Sequence, residues 1–72
     1  MANFIGKGAF KKYSQVIKLE HPIFARDLAG LLKLPEDLSE NLIVVRKNKK
    51  LNEDEVIRDD DDIYFFLAVM GG

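Results

Sequence analysis

At 72 residues the chain can bury one hydrophobic core and not two, so it reads as a single domain over 1–72. Hydrophobic residues make up 47% and charged residues 32%, with both signs interspersed, which argues against disorder. A net charge of -1 argues against nucleic acid or an anionic membrane surface as a partner. Cysteine is absent and His21 is the single histidine, which rules out disulfides, thiolate zinc sites and a Cys nucleophile and leaves little for metal or triad chemistry.

The first segment runs from Asn3 to Leu19. Phe4 to Phe10 and Gln15 to Leu19 can pair as a hairpin connected by Lys11 to Ser14, although Gly6 and Gly8 weaken the first strand; a turn at Gly6-Lys7-Gly8 is the alternative. Gly6, Lys7, Gly8, Lys11 and Lys12 also interrupt any apolar run of signal-peptide length. No other window approaches a membrane span, so a cytoplasmic setting and no membrane are expected.

In "HPIFARDLAGLLKLP" the residues Phe24, Leu28, Leu31 and Leu32 share one face at helical spacing, with Arg26, Asp27 and Lys33 facing out. Pro22 suits the first turn and Pro35 ends the helix, and "EDLSEN" reads as a turn or loop. His21, with no companion ligand, reads as a surface histidine near the helix start.

"LIVVR" from Leu42 to Arg46 is a strand, and "KNKK" after it is a turn in which Asn48 is best able to take positive φ. Its hairpin partner should begin near Leu51. Arg46, Lys47, Lys49 and Lys50 read as a solvated, edge-protecting basic cluster or as a steering patch for an acidic partner. The run Asp59 to Asp62 is an acidic turn without the ligand spacing of a calcium loop, so no metal is expected. "IYFFLAV" is a strongly β-prone last strand, on which Ile63, Phe65 and Leu67 form one set and Tyr64, Phe66 and Ala68 the other. The order strand, strand, helix, strand, short strand, final strand is α+β, with one main helix to cover one face of a sheet.

Ile63 and Phe65 are assigned to the core. Tyr64 and Phe66 are candidate partner contacts, forming an exposed apolar patch or a second packed face. Leu67, Val69 and Met70 can dock the root of the tail in a partner groove. Gly71-Gly72, with no Cβ, can thread a narrow channel into another protein, and residues 70–72 read as a flexible C-terminal tail. The Gly72 carboxylate, with a reference pKa of about 3.5, is ionised at neutral pH and can attack the α-phosphate of ATP without a base of its own. The bland alternative for the pair is a frayed end.

Taken together, the element order, "VIRDDDDIYFFLAVMGG" and the earlier "RKNKKLNEDEVI" resemble the MoaD/ThiS family of ubiquitin-like sulfur carriers over essentially the whole chain. The corresponding positions are the turn Asp59-Asp60-Asp61, the pair Phe65-Phe66, and Val69-Met70-Gly71-Gly72, with Asn48 at the hairpin turn and Ile57 as the apolar residue before the acidic turn. Asp60 stands where the family has a turn glycine, tolerable because Asp visits positive φ more readily than most residues. Leu67-Ala68 replaces the proline pair of many MoaD-like tails, and "AV" is closer to ThiS-like ones.

The resemblance implies a β-grasp fold with a mixed four- to five-stranded sheet. It also implies that a ubiquitin-activating-type adenylating enzyme uses ATP and a sulfur donor to convert Gly72, with Gly71 as spacer, to a thiocarboxylate. The chain would then be no enzyme and would bind no cofactor. It would hand sulfur to a downstream synthase in molybdopterin or thiamine thiazole synthesis or in tRNA thiolation; independently of the resemblance, the free chain is expected to be a monomer. A protein modifier that forms isopeptide bonds through Gly72 requires the same tail, and a non-reactive β-grasp interaction module does without it.

Overall fold

The computed structural model describes residues 1–68; Val69, Met70, Gly71 and Gly72, four of the expected site positions and the whole of the expected tail, lie outside the described residues. The strands are β1 (Ala2–Gly6), β2 (Gln15–Ile17), β3 (Ile23–Phe24), β4 (Leu42–Arg46), β5 (Lys49–Lys50), β6 (Val56–Ile57) and β7 (Asp62–Leu67). Five of them form one mixed sheet in the order β2-β1-β7-β4-β5, and β3 pairs with β6 in a separate two-stranded ribbon. The helices are α1 (Leu28–Leu32) and the single turn α2 (Glu36–Ser39). With its helical segment packed on one face, the sheet has the β-grasp arrangement expected from sequence.

β7 holds the centre of the sheet. It runs parallel to β1, with Phe4 beside Ile63, and antiparallel to β4, with Val44 beside Phe65. Its alternation is that of a strand with two different faces. Ile63 and Phe65 are fully buried with Phe4, Phe10, Leu28 and Ile57 in the core, whereas Tyr64 points the other way. Each of these buried side chains contributes about 1.5–3 kcal/mol relative to exposure, so six of them dominate the stability of so small a domain.

The first hairpin forms, but its first strand stops at Gly6 rather than reaching Phe10. A Cβ at Gly6 would collide with the carbonyl oxygen of Phe10, and Gly8 takes a positive φ of 56°. These two glycines let the chain turn back into a 3₁₀ segment, Gly8–Tyr13, that swings Phe10 under the sheet to a ring separation of 5.5 Å from Phe65. The connection therefore runs from Lys7 to Ser14, joining the two turn positions that the sequence left open. β2 is also shorter than its expected span, ending at Ile17.

The helix is corrected too. Residues 21–24 are not helical: Ile23 and Phe24 pair antiparallel with Ile57 and Val56, and Pro22 precedes that ribbon rather than opening a helix. Helical structure begins as a 3₁₀ turn at Ala25–Asp27 and ends at Lys33, whose left-handed φ of 56° allows the Leu34 amide to reach the Ala29 carbonyl at 3.0 Å. Leu28 and Leu32 are buried as expected, whereas Phe24 and Leu31 face solvent. The Phe24 ring is covered on one side by the Arg26 guanidinium at 4.2 Å. Pro35 precedes α2, so part of "EDLSEN" is a helical turn.

β4 keeps its expected bounds, and Lys47 and Asn48 both take positive φ in the two-residue turn to β5. Among described residues, positive φ outside glycine is confined to Lys33, Lys47 and Asn48, so Asp60 does not adopt the glycine-like conformation considered for it.

Candidate functional site

The two expected site residues that lie within the described chain, Tyr64 and Phe66, sit on the sheet face turned away from α1. Register places Ile5 and Val45 on either side of Tyr64, and Ile43 beside Phe66. Tyr64 is 39% exposed; Phe66, Ile5, Ile43 and Val45 are half-buried. Val16, beside Asn3 at the β2 edge, is 61% exposed. Tyr64 and Phe66 thus join Ile5, Ile43 and Val45 in an apolar face that the described residues leave uncovered, wider than the two aromatics alone. The Lys7 ammonium lies 5.3 Å from the centre of the Tyr64 ring and Lys50 stands beside Val45, so the face has a basic margin. Period-two geometry puts Ile43 and Val45 on one face of β4, but only the strand order brings them and Ile5 beside Tyr64 and Phe66.

Leu67 separates from the expected docking group. It lies beside Leu42 and packs against the core, so it serves the fold. Val69 and Met70 lie outside the described residues. The last described residue, Ala68, is fixed by its amide to the Asn41 carbonyl at 2.8 Å, so the register of β7 with β4 is kept through Ala68.

The acidic turn before β7 is spent on structure. Asp59 Oδ1 accepts the Leu19 amide at 2.7 Å and its other oxygen lies 3.4 Å from the Met1 ammonium. The Leu19 hydrogen bond, with smaller contributions from that ammonium and Lys18, holds the Asp59 carboxyl below the ordinary carboxylate value. Asp61 Oδ2 accepts both Arg46 Nη1 at 2.9 Å and the Arg58 amide at 2.8 Å, while the same Arg46 nitrogen donates to the Val56 carbonyl at 2.7 Å. Asp62 accepts the Asn3 side-chain amide at 2.6 Å.

Arg46 therefore does not belong with the solvated lysines of its hairpin: it clamps β4, β6 and the acidic turn together ahead of β7. Charge-assisted bonds shielded from water are worth more than those of an exposed pair. Among the described residues no group of three or more His, Cys, Asp or Glu side chains is placed to hold a metal. His21 is exposed before β3, with Nδ1 3.3 Å from the Pro22 carbonyl oxygen. Among the same residues no helix is long and apolar enough to cross a membrane.

No protein-family model and no curated protein matches this chain.

Proposed function

We propose that the chain is a sulfur carrier of the cytoplasm, a monomer when free, whose Gly72 carboxylate is activated by an adenylating enzyme and converted to a thiocarboxylate for a sulfur-accepting synthase. The observation that supports this reading is the build of β7. It is bonded to a neighbour on each side, braced behind by the Arg46–Asp61 clamp and fixed through Ala68, and it bears Tyr64 and Phe66 on an open apolar face. Such a strand is a firm support for a short segment that must enter a partner's site, with a contact surface beside it.

In the chemistry proposed, a Gly72 carboxylate oxygen attacks the α-phosphorus of ATP and pyrophosphate leaves. Hydrosulfide, delivered by a sulfur donor, then attacks the acyl-adenylate carbonyl; AMP leaves, a proton is released and a thiocarboxylate remains. The chain supplies no base, metal or cofactor of its own. Gly71 spaces the reacting carbonyl from Val69 and Met70, which with Tyr64 and Phe66 contact the partner.

Pyrophosphate release with the adenylating enzyme of the source cells tests the reading. The intact chain is expected to stimulate it, and a chain lacking Gly71 and Gly72 to give only background. Equal release from both chains would exclude Gly72 as the acyl site and favour a non-reactive interaction module. Attachment of the chain to lysines of other proteins would assign it to protein modification instead.

A further inference from the structure

On the side of β4 away from β7 the sheet is incomplete. Asn41 accepts the Ala68 amide, so residues 41, 43 and 45 direct their backbone groups to β7, and residues 42 and 44 direct theirs away. β5 pairs only with Val45 and Arg46, and the Leu51 amide reaches the Val44 carbonyl at 2.8 Å. Beyond Leu51 the chain turns off to the 3₁₀ turn before α1, where Arg26 and Ala25 donate to the carbonyls of Glu53 at 3.1 Å and Glu55 at 2.8 Å. Among the described residues, no strand pairs with β4 at Leu42 or Val44 on this side, and no turn or loop bond reaches the Leu42 amide or carbonyl or the Val44 amide.

The divergence opens a cleft of about 430 Å³ beside that edge, with Ala25, Ala29, Leu42, Val44 and Leu51 among its lining residues. Its charged lining residues are two acids, Glu40 and Glu53, and two bases, Arg26 and Lys50.

We propose that this edge takes an extended, uncharged segment of a partner protein as an added strand. The unmet donor, acceptor and donor at Leu42 and Val44 have the spacing of a strand ladder, so backbone is the matching ligand. Small alanines on the lining leave room for an alternate apolar side chain, and balanced charges there select no net sign. A second copy is the poorer fit. The open length is two residues, set between α2 and Leu51, and pairing two β4 edges would bring both copies' helices and hairpins into one space. The inference is independent of the chemistry at Gly72.

Amide proton and nitrogen shifts of the whole chain, titrated with acetyl-Thr-Val-Thr-Val-Thr-amide, test it. Leu42 and Val44 amide protons are expected to move downfield and saturate with a dissociation constant of about 1 mM, and Ala29→Phe, which fills the cleft, to weaken binding about tenfold or more. Hydrogen exchange of the unbound wild type keeps the test decisive should that variant fold poorly: fast exchange at both amides is required, and slow exchange would show the edge already bonded. Absence of shifts up to about 10 mM, or shifts centred on Ile5 and Tyr64, would overturn the proposal. So would shifts of the Leu42 and Val44 amides that grow with protein concentration without peptide, which would give the edge to a second copy.

Discussion

The two faces of the central sheet are made from similar residues and end in different surroundings. On the inner face Phe4, Ile63 and Phe65 are sealed beneath α1 and the 3₁₀ segment that carries Phe10; on the outer face Ile5, Tyr64, Ile43 and Phe66 remain in partial contact with water. Hydrophobicity alone does not distinguish them, since each strand alternates apolar with apolar. What distinguishes them is the chain that arrives on top, and one helical layer can cover only one side. The inner set therefore fixes the fold, and the outer set is apolar surface that the described residues leave uncovered.

That asymmetry can be broken from either side. Phe65→Ala empties the centre of the buried set and is expected to lose about 3–5 kcal/mol, enough to leave a large unfolded fraction in a thermal melt followed by circular dichroism. A loss below about 1 kcal/mol would mean that the inner face does not carry the fold. Gly6→Ala pushes a methyl into the Phe10 carbonyl and is expected to cost about 1–3 kcal/mol in urea unfolding, with near-ultraviolet signals of Phe10 and Tyr13 disturbed.

Asp61→Ala leaves Arg46 without its carboxylate and the Arg58 amide without its acceptor; about 1–3 kcal/mol is expected, with hydrogen exchange quickening in β6 and the acidic turn. Tyr64→Ala, on the outer face, should lower stability by only about 0.2–1 kcal/mol; under the proposed sulfur-carrier function it should also weaken engagement of the adenylating enzyme, read as a raised KM with kcat largely kept.

The smallest effect is electrostatic. Because the folded Asp59 carboxyl is depressed, its contribution is present above the ordinary carboxylate value and fades as pH falls through the lower folded one. Wild type should therefore lose melting temperature below about pH 4 more steeply than Asp59→Asn, and parallel curves would remove Asp59 from the account.

Much of the architecture was legible in the sequence. The bounds of β4, the alternation of β7 and the pairing of the first two strands follow from local pattern and turn chemistry. Periodicity places Phe10 in a strand because it cannot register that Gly6 permits a carbonyl to approach where any other residue has a Cβ. Phe24 carried the right spacing for the helix face, but pairing of Ile23–Phe24 with Val56–Ile57, more than thirty residues away, overrode it. Arg46 looked like one more cation in a basic hairpin until tertiary structure brought Asp61 and the Val56 carbonyl to it. At the candidate site, Tyr64 and Phe66 were legible from alternation, whereas their neighbours Ile5, Ile43 and Val45 needed the strand order. Val69, Met70, Gly71 and Gly72 lie outside the described residues, and the roles proposed for them come from chemistry and resemblance.

The most direct test of the sulfur-carrier reading is the intact mass of the chain isolated from its native cells. A gain of about 16 Da located at Gly72, oxygen replaced by sulfur, is the predicted result. A Gly72 carboxylate that stays unchanged there, and after incubation with ATP, a hydrosulfide source and the adenylating enzyme of the same cells, would contradict it.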